Sequence, residues 1–309
     1  MDYICGMTFA PFCPGEYLCS KESKESFLKM KEQTHANFVI FIPNALQDTP
    51  QSETIFMGKE SCTEDQLTEM IHFAKDLGMK VAIKPTVNCK NGTWRAHINF
   101  FDEDVPCEPK WSNWFASYTK FQLRFAKVAQ ETGCEMFIPG CEMVMSEHRE
   151  AEWRKLISDI RKVYKGLISY NTDKYQEHNV TWWDAVDVIS SSGYYPVNKW
   201  EQELDRIEKV VKKYNKPFFF AESGCMSVLD SKYTPNDWSL SKESDLDGQA
   251  EWYKAMFEAC SKRDWVGGTC LWAWGSRLYN PKDIENQKNY DVYAKPAEKI
   301  IREFYDSKQ

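Results

Sequence analysis

The sequence predicts an α/β fold, a single (β/α)8 TIM barrel spanning residues 1–309. Eight short apolar runs read as strands, amphipathic segments of helical period lie between them, and no Gly/Ser/Pro-rich linker divides the chain. A length of 309 residues exceeds the usual single domain, but one α/β barrel routinely fills about 250. The structural alternative is an open doubly wound sheet, whose G-x-G-x-x-G phosphate turn follows none of the strands.

The first strand is CGMTFA (5–10), and the helix after it, Ser23–Thr34, sets Phe27, Met30 and Lys31 at helical spacing. FVIFI (38–42) is the second; Thr63-Glu64-Asp65-Gln66 then opens a helix carrying Leu67, Met70, Ile71 and Ala74, and Gly78 stops it. After KVAIKP (80–85) comes a helix over 111–132. Its Trp111, Trp114, Phe115, Tyr118, Phe121 and Phe125 recur at helical spacing, which predicts core packing rather than a ligand groove. EMFIPGCE (135–142) is the fourth strand, followed by a helix at 150–164; GLISYN (166–171) is the fifth, followed only by the short TWWDA (181–185), beneath which Trp182 and Trp183 are expected to pack. VDVISSSGYY (186–195), KPFFFAES (216–223) and GGTCLWAWG (267–275) complete the set, with helices at 200–214, 246–262 and 296–306.

Hydrophobic residues make up 42% and aromatics 15%, ample for a core, while 12 Trp exceed what a core needs and imply that some line a binding surface. A net charge of −7 argues against nucleic-acid partners, whose binding relies on Lys and Arg neutralising phosphates. No run approaches the roughly 18 apolar residues of a membrane span. The N-terminal MDYICGMTFAPFCPGEY lacks a cationic region followed by an apolar one, so a cytoplasmic location is expected. The 11 cysteines, odd in number and scattered, then read as reduced and mostly buried rather than as a disulfide framework. They lack paired CxxC spacing, and the five His form neither HxH nor HExxH, so no metal and no cofactor is expected. Oligomeric state is open.

The chemistry is read from two glutamates. In MFIPGCEM (136–143), Glu142 ends an apolar run that looks buried on both faces, and in FFFAESG (218–224) Glu222 does the same. A charge beside such a strand is costly unless used or paired. Barrel enzymes place their chemistry at the C-terminal strand ends, and the fourth and seventh strands face each other across the mouth. Two carboxyl groups about 5–5.5 Å apart are what a retaining glycosidase uses, one as proton donor and one as nucleophile, with their pKa values pushed apart. The competing reading is a pair of capping or ion-paired residues.

The arrangement resembles the clan of retaining (β/α)8 glycosidases with catalytic glutamates on strands four and seven. Within that clan the chain is similar to glycoside hydrolase family 113, the β-mannanases, over about residues 6 to 300. The resemblance is carried by KVAIKPTV with TWRAHI, WSNWFASYTKF, IPGCEM, EWRKLISDIRKVYKG, WWDAVDVISSSGYYPV and FFFAESG. It implies Glu142 as general acid/base and Glu222 as nucleophile. Many clan members have Asn immediately before the acid/base to contact the sugar 2-hydroxyl; Cys141 stands here, as family 113 also lacks that Asn, which is compatible with the axial 2-hydroxyl of mannose. YNTDKYQ after strand five departs from the mannanase Asn-Trp pattern.

Further substrate-binding candidates surround the pair. Tyr194 matches the family's strand-six tyrosine and is expected either to donate to the nucleophile or to pack under a loop. Trp272 and Trp274 alternate on strand eight and are expected on the same side; Trp272, where the clan commonly has a tryptophan, is the expected sugar platform, with core packing the alternative. Lys84, in the family's KP match, reads as a donor to sugar hydroxyls or as a solvated lysine. Trp94 and Arg95 read as a loop pair that clamps a saccharide, unless Arg95 pairs with Asp102, Glu103 or Asp104. Asn171 and Asp173 are equally explained by capping. His97 and His148 read as satisfied polar residues, and no G-x-S-x-G turn marks a serine nucleophile.

The expected function is a metal-independent, retaining endo-β-1,4-mannanase or manno-oligosaccharide hydrolase acting on β-1,4-linked mannose-containing chains. A β-glucanase or xylanase of the same clan is the alternative within the enzyme class. A non-catalytic carbohydrate-binding barrel is the alternative outside it.

Overall fold

The computed structural model describes residues 2–59 and 61–309. Eight parallel strands close a barrel in chain order: β1 (Ile4–Phe9), β2 (Phe38–Phe41), β3 (Lys80–Ile83), β4 (Met136–Phe137), β5 (Leu167–Thr172), β6 (Val188–Ser192), β7 (Phe218–Ser223) and β8 (Val266–Trp274), which pairs back onto β1. A separate parallel pair, Asn44–Gln47 with Thr86–Cys89, extends the chain above β2 and β3. Among the described residues, seven long helices surround the barrel: α1 (Lys21–Thr34), α2 (Glu64–Asp76), α3 (Trp111–Glu131), α4 (Glu150–Val163), α5 (Trp200–Tyr214), α6 (Leu246–Ser261) and α7 (Pro296–Asp306). Between β5 and β6 there is a single 3₁₀ turn, Trp183–Ala185, where the sequence offers only TWWDA. No helix among the described residues is long and apolar enough to cross a membrane.

The helices begin where side chains satisfy free backbone donors. Ser20 accepts from the Ser23 amide, so α1 starts two residues before the expected Ser23. Thr63 and Gln66 bond each other's backbone N–H reciprocally and open α2, and Gly78, at φ +77°, ends the connection that follows.

Strand alternation divides the core into two layers. Ile4, Phe38, Ile40, Ala82, Met136, Val188, Phe219 and Cys270 fill the barrel interior, while the opposite faces pack against the helices. The aromatic face of α3 is buried there as expected, and Trp182 and Trp183 are fully buried. Toward the C-terminal mouth the interior turns polar, with Ser169, Ser190, Ser192, Asn171 and Lys84 all at 0% exposure.

At the mouth, three strand ends depart from regular pairing. β4 stops at Phe137, short of the expected Glu142, because Pro139 has no N–H to donate to a ladder. Chain direction is recovered at Cys141, which bridges Asn171, and Glu142 follows at φ +54° with its amide on the Asn171 carbonyl at 2.8 Å. In β7, Phe218 and Phe220 face the helices while Phe219 and Ala221 face inward, so strict alternation would aim Glu222 outward. One extra residue in the register against both β6 and β8 turns Glu222 into the mouth. In β8 the register against β1 shifts before Trp274. Trp272 therefore joins Tyr194 at the mouth, while Trp274 packs outward and donates to Ser26 Oγ at 3.0 Å. The two tryptophans lie on opposite faces, correcting the expectation that they share one.

Behind the β7 irregularity, Gly224 passes so close to β8 that an added Cβ would lie 2.4 Å from the Trp272 carbonyl oxygen. Gly224→Ala is expected to lower stability by about 1–3 kcal/mol, the usual range for overpacking. Urea unfolding measures it, and an unchanged midpoint would show that β7 and β8 separate freely.

Candidate active site

Glu142 and Glu222 meet at the barrel mouth, 7% and 5% exposed. One carboxylate oxygen of each, together with Cys141 Sγ, falls within a mutual 4.8 Å. Two cations balance the two carboxylates: Lys84 Nζ lies 2.5 Å from Glu222 Oε1, and Arg95 donates to Glu142 Oε2 at 3.2 Å. The Cys141–Glu142–Glu222 donor set is thus already charge-compensated by the protein's own side chains.

Each carboxylate is aimed by different partners. Glu222 Oε1 also accepts from Cys141 Sγ at 3.2 Å, and Oε2 accepts from the Tyr194 hydroxyl at 3.2 Å. Glu142 Oε1 accepts from Ser192 Oγ at 2.8 Å, and Oε2 accepts from Trp94 Nε1 at 3.2 Å. Burial alone would raise the Glu222 pKa, but Lys84 in contact, with Arg95 and Cys141 behind it, holds the carboxyl below its ordinary value. Burial also works against the Lys84 ammonium, and the neighbouring Cys141 and Glu222 together more than offset it, so Lys84 is held above its ordinary value. Burial, then Glu222, push the Cys141 thiol and the Tyr194 phenol well up, so both stay neutral donors. Burial, and then the charge of Glu142, raise Asp173 to about 7.

The glutamates open into a cavity of about 660 Å³ that Trp94, Arg95, Asp173, Tyr194 and Trp272 also line. Lys84 and Asn171 do not line it. Both are fully buried beneath the floor, so Lys84 is neither a solvated lysine nor a group facing the cavity. Trp94 and Arg95 spend their donors on Glu142, and Arg95 further bonds Asn88 Oδ1 at 2.9 Å rather than the acidic run at 102–104. Asp173 pairs with Lys174 at 3.3 Å, and His148 with Asp102 at 2.7 Å.

Residues that sequence reading missed complete the walls. Phe12 and Trp238, 72% and 56% exposed, line the cavity, and the Phe12 ring stands edge-on to Trp272 with centroids 5.7 Å apart. Their signal was available: each is a lone aromatic in a loop with no apolar period around it, in APFCPG and TPNDWSL. Ser192 carried no comparable signal, being one of three consecutive serines.

The loop that carries Glu142 is anchored from below. Trp153 Nε1 donates to the Ser146 carbonyl and Trp182 Nε1 to the Glu147 carbonyl, each at 3.0 Å. Glu147 Oε1 accepts from Tyr170 at 2.8 Å and Thr172 at 2.7 Å, while Oε2 is buried without a partner.

The family model described as Glycoside Hydrolase Family 113 matches residues 7–295. Two solved structures described as GH113 β-1,4-mannanase, one of them a complex, are each 52% identical, with 99% of this chain and 100% of theirs covered and a TM-score of 0.98. The GH113 β-mannanase AaManA from Alicyclobacillus acidocaldarius, in complex with ManMIm, is 37% identical; 100% of this chain and 99% of that one are covered, with a TM-score of 0.96. No curated protein sequence matches.

Burial raises Glu147 from an ordinary 4.5 to about 8. The folded state binds this proton more tightly than the unfolded chain, so the contribution of Glu147 to stability is full below about pH 4.5 and is lost as pH rises toward about 8. Glu147→Gln keeps the acceptor for Tyr170 and Thr172 and removes the titration. Urea unfolding should find the variant more stable than the parent at about pH 8, with the difference closing toward about pH 5. A pH-independent difference would show that Glu147 stays ionised in the fold.

Proposed function

The chain belongs to glycoside hydrolase family 113, and from that premise we propose that it cleaves β-1,4-linked mannose-containing saccharides by double displacement, with Glu222 as nucleophile and Glu142 as general acid/base. The observation that carries this reading is the carboxylate pair itself: oxygens within 4.8 Å of each other, at the C-terminal mouth of the barrel, opening to one cavity. One oxygen of each carboxyl within 4.8 Å of the other is compatible with the about 5–5.5 Å spacing of retaining enzymes, and supports that reading over the about 6.5–9.5 Å at which inverting enzymes hold a water between their carboxyls.

Glu222, ionised and held by Lys84, Cys141 and Tyr194, attacks the anomeric carbon as Glu142 gives a proton to the departing glycosidic oxygen. Glu222 then carries the sugar as an ester, and its charge is gone while the Lys84 ammonium remains. That uncompensated buried cation favours return of the carboxylate, which is the leaving group of the second step. Glu142 takes a proton from water, water attacks the same carbon, and Glu222 is released. Trp272 supplies an apolar ring face for the sugar beside Glu222. Trp94, Trp238 and Phe12 offer exposed ring surface further along the cavity.

The proposal includes a cytoplasmic site of action, supported by eight buried free thiols that a reducing compartment preserves.

Glu222→Ala and Glu142→Ala are each expected to lower turnover of manno-oligosaccharides by at least about 100-fold while saccharide binding survives. A 2-fluoro mannoside should label Glu222, detectable by peptide mass spectrometry. Label on another residue would overturn the assignment, and cleavage of gluco-oligosaccharides alone in a panel of reduced substrates would overturn the mannose specificity. Trp238 is exposed enough for Trp238→Ala to leave the melting temperature unchanged, with an expected rise in KM of about 10-fold. An unchanged KM would remove that ring from the binding surface.

A further inference from the structure

Beneath the cavity, four hydrogen bonds run in series from one glutamate to the other. Lys84 Nζ donates to Glu222 Oε1 at 2.5 Å and to Asn171 Oδ1 at 2.9 Å; Asn171 Nδ2 donates to Ser192 Oγ at 3.0 Å; Ser192 Oγ donates to Glu142 Oε1 at 2.8 Å. Lys84, Asn171 and Ser192 are all at 0% exposure.

The direction of every link is fixed by chemistry. Lys84 can only donate, so Asn171 must turn its oxygen toward it; the Thr172 carbonyl can only accept, and it takes the other amide proton at 2.9 Å. Ser192 Oγ receives from the amide, which leaves its single proton for Glu142. A carboxamide between a lysine and a hydroxyl does not relay protons under these constraints, so the chain holds rather than conducts. Its spacing is set by the barrel ladder, since β5 and β6 pair directly with Asn171 opposite Ser190 and Thr172 opposite Ser191. The other two donors to Glu142, Trp94 and Arg95, come from the loop above, and Trp94 is 41% exposed. Among the described residues, Ser192 is the fully buried donor that ties Glu142 to the barrel.

We propose that Asn171 and Ser192 are positioning residues: with Lys84 they form a strut that fixes the orientation of Glu142 relative to Glu222. This rests on the roles proposed above for the two glutamates. The strut acts on proton delivery, because its terminal bond is to the acid/base carboxyl, and its loss is felt most where the leaving group needs that proton.

The test compares kcat/KM, which reports the first displacement, on manno-oligosaccharides and on a dinitrophenyl β-mannoside whose leaving group needs no proton. Ser192→Ala is expected to lower kcat/KM on the oligosaccharides by roughly 10- to 100-fold with KM within about 2-fold, the effect of losing one hydrogen bond to a charged group, and to leave the aryl substrate within about 3-fold. Ser192→Thr, which keeps the hydroxyl, should recover most of the activity. In an Asn171→Ala background the further loss from Ser192→Ala should shrink to about 3-fold or less, because the bond is already unsupported. If that background does not fold, Asn171→Asp replaces it, keeping the acceptor for Lys84 and deleting the donor to Ser192. Equal losses on both substrates, no loss, failed recovery by threonine, or losses that multiply independently would each overturn the strut. Glu142→Ala is run alongside and should show the same leaving-group dependence in stronger form. If it cleaves oligosaccharides at the parent rate, the acid/base assignment falls, and the strut falls with it through a result distinct from any Ser192 outcome.

Discussion

A fully buried lysine and a largely buried glutamate stand 2.5 Å apart at the centre of the barrel mouth. Taking two such charges from water costs several kcal/mol per ion, and their attraction repays it only when geometry is good and the remaining donors and acceptors are met. Here they are met: Lys84 also reaches Asn171 and the Ala221 carbonyl, and Glu222 also receives Cys141 and Tyr194. The arrangement of the upper barrel follows from this requirement. Its interior is polar where the pair sits and apolar below, because each polar side chain there satisfies another.

The positions of Glu142, Glu222 and Trp272 depend on departures from regular structure more than on the structure itself. A two-residue β4 leaves a loop free to reach back over β5 and present Glu142 with a left-handed backbone. An extra residue in β7 reverses the facing of Glu222, and a register shift in β8 separates Trp272 from Trp274. The regular remainder of the barrel is what makes these deviations affordable, since neighbouring ladders and packed aromatic layers keep each one in a single conformation.

Tryptophan use shows how one residue type serves two purposes. Eight of the 12 are fully buried between barrel and helices, where large rings fill the space; six of these find an acceptor for their N–H, while those of Trp111 and Trp200 are buried without one. Trp94, Trp238 and Trp272 instead line the cavity beside the two carboxylates. A saccharide has apolar C–H faces and hydroxyl edges, and a cavity that alternates ring faces with charged groups suits both.

By itself, the order of apolar runs and capped helices determined the barrel, because burial on two faces and helical period are local properties of sequence. It also pointed to Glu142 and Glu222, since a carboxylate at the end of such a run is conspicuous by its cost. Tertiary structure alone decided which way Glu222 faces, for the alternation read along FFFAES points it outward and only pairing with two neighbouring strands inserts the extra residue. It likewise moved Lys84 and Asn171 from the cavity to the floor beneath it and brought in Ser192, because a hydrogen-bond network between β3, β5, β6 and β7 joins residues up to 138 positions apart and leaves no periodic trace in any one segment.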